Sequence, residues 1–287
     1  MRYLAANTAK EAAEALAAEA GTARVLAGGT DVLVQLKSGM VEPDLIVDIK
    51  RIPGMRDITT EDGGYRIGAA VSGAELGEHE GVCEMWPGVA EGFQLIGSTQ
   101  VQGRATMTGN LCNGSPAADA VPPLVAASAT ARIVGPKGER DCPIADIPSG
   151  PGKTTLKKGE IVTSIFLPAR PDRASDAYLR FIPRTEMDIA VASAGVSLEL
   201  NPDGTVKTAR IALGAVAPTV ILAEDAAKLL VGTKLDDATL AKMAKACESV
   251  CRPIDDKRGT VEYRTKTAGT LAKRAALIAY ARAGGSK

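Results

Sequence analysis

Apolar and polar positions follow two rhythms along this chain. From Thr8 to Ala20, TAKEAAEALAAEA is rich in strong helix formers, opens on a threonine that can cap it and stops at Gly21, which predicts a helix. ARVLAGG predicts a short buried strand entering a glycine turn, TDVLVQLKSG a helix closed by Gly39, and DLIVDI a second buried strand. The order is β-turn-α-β. Pro53 and Gly54 then punctuate the chain.

Beyond that break, YRIGAAV predicts a strand, and Ser72 to Gln100 predicts helices interrupted at Pro87 and Gly97. ATARIVGPKGERDCPI predicts a hairpin turning at Pro136 to Gly138, and EIVTSIFLP a strand ending at Pro168, together an antiparallel sheet. After the polar stretch ARPDRASD, the runs SDAYLRFIPR, VASAGVSLEL and VKTARIALGAV predict a small antiparallel meander, with NPDG turning between the last two. Helices follow from Leu222 to Leu230, Asp237 to Val250 and Arg258 to Ala283, with Pro253 between the last two. The C-terminal third is α+β, and the breaks divide the chain into units 1–53, 54–172 and 173–287.

Composition narrows the function. The chain has 287 residues, 45% apolar, with 34 basic and 34 acidic side chains, so it can bury a sizeable core and carries no net field that would favour nucleic acid or an anionic membrane. No apolar run reaches the roughly 20 residues of a membrane span, and MRYLAANTAKEAAEAL lacks the features of a signal peptide, so a cytoplasmic location is expected. Cys83, Cys112, Cys142, Cys247 and Cys251 are odd in number and scattered, which predicts reduced, mostly buried thiols and no metal centre. The single histidine, His79, lies in the polar stretch GAELGEHEG and is expected at the surface; no Ser-His-Asp or Cys-His constellation can be assembled, and no catalytic residue is assigned.

Two segments carry candidate chemistry. In VLAGGTDVLVQLK, paired glycines join a strand to a helix; such a turn can bring bare backbone N–H groups up to a phosphate, though a glycine pair at a strand end is more often an ordinary turn. It lacks the G-x-G-x-x-G spacing of a dinucleotide fold. GSTQVQGRATMTGNLCNGSPAADAVPPLVA combines glycines with small hydroxyl and amide side chains; it reads as backbone wrapped around a polar ligand or as a long irregular loop. SGPGKTT ends like a P-loop, but Ile147 stands where the earlier glycine is required, so that reading fails.

These two segments, with YLRFIPRTEMDIAVAS and the late PIDDKRGTVEYRTKTAGTLAKRA, resemble over nearly the whole chain the FAD-binding medium subunit of the xanthine dehydrogenase and carbon monoxide dehydrogenase family of molybdenum hydroxylases. The resemblance implies a PCMH-type fold, as in vanillyl-alcohol-oxidase-like flavoproteins: two α+β subdomains, here 1–53 and 54–172, holding FAD between them, and a C-terminal domain of a small antiparallel sheet and helices, here 173–287. It implies cofactor contacts from Leu26, Ala27, Gly28, Gly29, Thr30, Asp31, Val32 and Leu33, from Thr106, Thr108, Gly109 and Asn110, from Asp119, and from Gly97, Lys153, Val162 and Arg180. Relatives commonly read TIGGN or TIGGD where this chain has TMTGN, so Thr108 replaces a glycine, and Arg180 stands where some carry lysine. No cysteine-rich insertion for an iron–sulfur cluster is present.

The implied function is electron transfer: a large partner subunit holds a molybdenum cofactor that oxidises the substrate, a small partner holds [2Fe–2S] clusters, and FAD on this chain passes electrons to an external acceptor. A self-contained FAD oxidoreductase of the same fold and a flavin-free scaffold are the competing readings.

Overall fold

The computed structural model describes residues 1–286 and resolves the chain into three units, each built on its own sheet. In the first, β1 (Arg2–Ala5), β3 (Leu45–Asp48) and β2 (Ala23–Leu26) lie parallel in the order β1-β3-β2, with α1 (Ala9–Ala18) and α2 (Val32–Lys37) as the connections. Thr8 caps α1 by accepting from the Glu11 amide at 3.0 Å. The central strand β3 is wholly buried, as its LIVD run predicts. The strand ARVL is not: it forms the sheet edge, with Arg24 and Val25 exposed, because β3 rather than β2 takes the middle place.

The second unit is an antiparallel sheet in the order β4-β5-β10-β6-β7, from β4 (Ile58–Glu61), β5 (Gly64–Gly68), β6 (Thr130–Gly135), β7 (Gly138–Pro143) and β10 (Ile161–Leu167). Between β5 and β6 run α3 (Gly73–Gly77), α4 (Glu80–Met85), α5 (Pro87–Gln94), α6 (Thr99–Gln102), α7 (Met107–Cys112) and α8 (Val121–Ala126); the short pair β8 (Pro148–Gly150) and β9 (Lys153–Thr154) precedes β10. Pro87 occupies the first turn of α5 and Gly97 has a left-handed φ of 63°, the interruptions expected from sequence. His79 departs from its expected solvated role. Its Nδ1 caps α4 by accepting from the Val82 amide at 3.2 Å, and its ring stands edge-on to Tyr65 with centroids 5.2 Å apart.

The third unit is the meander β11 (Ala174–Phe181), β12 (Ala192–Leu200), β13 (Val206–Gly214) and β14 (Ile221–Leu222), backed by α9 (Glu224–Lys228), α10 (Asp237–Val250) and α11 (Val261–Arg282). Alanines at 268, 272, 275, 276 and 279 give α11 a smooth buried face against the sheet. The two late sequence segments meet here: Arg264 donates to the Val191 carbonyl at 2.8 Å and pairs with Asp256, while Arg258 approaches Asp188 at 3.4 Å.

A buried carboxyl joins the second unit to the third. Asp176 on β11 accepts from the Val89 amide in the first turn of α5 at 3.1 Å, and a Cβ on Gly88 would fall 2.5 Å from the same carboxylate oxygen. Its other oxygen has Arg170 at 3.6 Å, close enough for an ion pair but without a hydrogen bond. Burial outweighs these contacts and pushes the carboxyl up to about 7. All five cysteines are free, and no helix among the described residues is long and apolar enough to cross a membrane.

Candidate cofactor-binding cleft

A cleft of about 500 Å³ opens between the parallel unit and the five-stranded unit, within the roughly 300–1,000 Å³ usual for small-ligand sites. Its first wall is the turn from β2 into α2. Gly29 has a φ of 81°, which strains any side chain, and a Cβ on Gly28 would lie 1.8 Å from the Arg104 carbonyl oxygen and 2.7 Å from its carbon. Only a glycine lets the two backbones meet there. The N–H groups of Gly28, Gly29, Thr30 and Asp31 carry no hydrogen bond within the described residues, a row of donors of the kind that holds a phosphate.

The second wall corrects the sequence reading. Thr106 to Asn110 is not a glycine-rich turn in an irregular loop but the cap and opening turn of a short helix. Thr106 Oγ1 accepts from the Gly109 amide at 2.9 Å, and Met107 and Leu111, four residues apart, are sunk in the core of the second unit. Neither Thr108 nor Gly109 has a left-handed φ, so the threonine that replaces a glycine causes no backbone conflict. Asn110 ties the wall to the start of α8: its Oδ1 accepts from the Ala120 amide at 3.1 Å.

Of the residues expected to contact a cofactor, Ala27, Gly28, Gly29, Thr30, Asp31, Val32, Thr106, Thr108, Gly109, Asn110 and Val162 line this cleft. Leu26, Leu33, Gly97, Asp119, Lys153 and Arg180 do not. Leu26 is buried behind the turn and Leu33 faces solvent, and Lys153 is exposed between Gly152 and Thr154, which are on the wall. Asp119 and Arg180 pair with each other at low exposure, and Tyr178 donates its hydroxyl to Asp119 at 2.6 Å. Burial raises the Asp119 carboxyl against the pull of Arg180, and burial followed by the Asp119 charge raises Tyr178 well above the ordinary tyrosine range. Through Ala120 this cluster stands one hydrogen bond behind Asn110.

Sequence reasoning missed the outer lip, formed by Arg24, Val25, Gln35, Met40 and Val41. Reading ARVL as a buried strand hid it, since only an edge strand can turn Arg24 and Val25 toward a ligand. Cys112 was missed as well; it lines the cleft, and burial pushes its thiol up to about 12, which favours the protonated form.

An α+β protein with a row of unpaired backbone donors on a cleft between its first two units belongs among cofactor-binding proteins, and the comparisons with known proteins specify which. The family described as FAD binding domain in molybdopterin dehydrogenase matches residues 1–170, and CO dehydrogenase flavoprotein C-terminal domain matches 177–279. The carbon monoxide dehydrogenase medium chain of Afipia carboxidovorans is 35% identical over 261 residues, covering 91% of this chain and 90% of that one. A xanthine dehydrogenase FAD-binding subunit of Escherichia coli is 32% identical over 272 residues, covering 94% and 93%. A solved carbon monoxide dehydrogenase from Hydrogenophaga pseudoflava superimposes with a TM-score of 0.94 at 33% identity over 98% of each chain. The chain belongs to the FAD-binding medium-subunit family of the molybdenum hydroxylases.

Proposed function

We propose that this chain carries one FAD in the cleft and serves as the electron-transfer subunit of a heteromeric molybdenum hydroxylase. Electrons from [2Fe–2S] clusters on a small partner reach FAD here and leave to an external acceptor, while substrate is oxidised at a molybdenum cofactor on a large partner. The close approach of Gly28 to Arg104, which assembles both walls of the cleft, is the observation that carries the reading. The naming of similar proteins as medium chains and FAD-binding subunits supports the division of labour.

Bound FAD supplies the ability to accept electrons singly and release them in pairs. The chain itself binds and orients. Free N–H groups from Gly28 to Asp31 hold the diphosphate, aided by the absence of a Cβ at the closest approach. Thr106, Thr108, Gly109, Asn110 and Val162 form the facing wall. Leu26 and Leu33 support the turn from behind and from the solvent side, Gly97 sets the course of the chain into α6, and Lys153 adds a positive charge beside the rim. Asp119 and Arg180 act through Asn110, fixing the second wall against the C-terminal sheet.

Coexpression with large and small subunits of this kind, sought in the coding regions beside this one, tests this. Purified complex is expected to hold close to one FAD per copy of this chain, reducible by the complex's substrate; a complex that assembles without flavin overturns the proposal.

A further inference from the structure

The first wall has two cations behind it that the sequence did not single out. Lys50, just after β3, donates from Nζ to the Ala27 carbonyl at 3.2 Å and is itself held by Asp48 at 2.7 Å. Asp48 in turn accepts from the Tyr3 hydroxyl at 2.6 Å, so the ammonium is anchored on the sheet of the first unit. Arg104, from the link between α6 and α7, donates from Nε to the Gly28 carbonyl at 3.3 Å. It forms no ion pair among the described residues. Neither side chain lines the cleft.

A trans peptide is planar, with its C=O and N–H pointing in opposite directions. Turning the Ala27 carbonyl toward Lys50 therefore turns the Gly28 N–H the other way, and turning the Gly28 carbonyl toward Arg104 does the same for the Gly29 N–H. We propose that Lys50 and Arg104 are positioning residues: by holding two successive carbonyls outside the cleft, they aim the N–H groups of Gly28 and Gly29 at the cofactor diphosphate. Arg104 has a second effect. Because it comes from the second unit, its bond to Gly28 ties the two walls together, so the donors are set only when the walls are closed. This role rests on the FAD reading given above.

The test uses the full chain as apoprotein, titrated with FAD, in the variants Arg104→Met, Arg104→Lys and Arg104→Met combined with Lys50→Met, and in Lys50→Met alone. The last is read against Asp48→Asn alone and in combination with it, so that no carboxylate is stranded. Each loss of a carbonyl anchor is expected to weaken FAD binding about fivefold, with the two losses multiplying to about 25-fold, and Arg104→Lys is expected to recover most of its share. The ratio to wild type should persist in concentrated salt, since it comes from donor orientation rather than long-range charge, and the phosphorus NMR signals of bound FAD should move. Unchanged affinity overturns the inference, as does a loss that high salt abolishes, or a weakened complex whose phosphorus signals match wild type. Wild-type chain that binds no FAD at all would instead remove the functional reading beneath it.

Discussion

On the first wall of the cleft, α2 has no buried side chain, and the turn before it depends on a left-handed glycine, a glycine pressed against another backbone and two cations holding its carbonyls. On the second, α7 is capped by its own threonine and pinned by Met107 and Leu111 in the core. Both segments show glycines among small polar residues in the sequence. One gets its shape from backbone geometry and contacts across the cleft, the other from ordinary helix packing, so equal-looking glycines should respond very differently to substitution.

Gly28→Ala breaks the first wall most sharply. Its Cβ would sit 1.8 Å from backbone that cannot step aside without opening the cleft, so FAD affinity should fall on the order of 100-fold in a fluorescence titration. A variant that binds within a few-fold of wild type would mean the walls are not locked by that contact.

The seam between the second unit and the third can be read by pH. Asp176, pushed up to about 7 from an ordinary value of 3.8, holds its proton more tightly in the folded chain than in the unfolded one. Its contribution to stability is therefore complete below about pH 4 and is lost as pH rises through about 7, on the order of 4 kcal/mol in all. Asp176→Asn removes that slope: relative to wild type, the variant should gain stability between pH 5 and pH 8 in urea unfolding of the apoprotein. A difference that stays flat with pH would show the carboxyl ionised throughout and the seam less dry than its burial implies.

The smallest effects belong to α7. Thr106→Ala removes the cap and should cost the apoprotein about 1 kcal/mol. Gly109→Ala meets only the Thr106 hydroxyl, at 2.9 Å, and gains helix propensity, so the two terms should leave the apoprotein within about 0.5 kcal/mol of wild type by the same unfolding measurement. If Gly109→Ala proved as damaging to the apoprotein as Gly28→Ala, the contrast between the walls would collapse.

Elements with a strong apolar period were legible in the sequence: α1 with its Thr8 cap, the hairpin of β6 and β7, the three long strands of the meander and α10 emerge at or near their expected bounds. Short elements were not. β1 and β4 have no buried position, so no alternation marks them. The helices α6 and α7 span 4 and 6 residues, too short to show a period, and their Gly, Thr and Asn content looks like loop. The first cofactor segment was readable because glycine at a strand end has a local steric meaning. The roles of Lys50 and Arg104 were not, since each depends on a contact between segments 23 and 76 residues apart.

The bare helix α2 has a thermodynamic consequence. Six residues without buried side chains are well short of the length at which a helix holds in water by itself. Whatever fraction of the free protein has this helix unwound cannot bind until it rewinds, and the apparent affinity is reduced by that fraction. The grip on the cofactor can therefore be adjusted from the solvent side. Val34, 61% exposed and off the cleft wall, is one such position: a better helix former there shifts the population toward the competent state without moving an atom that faces the ligand.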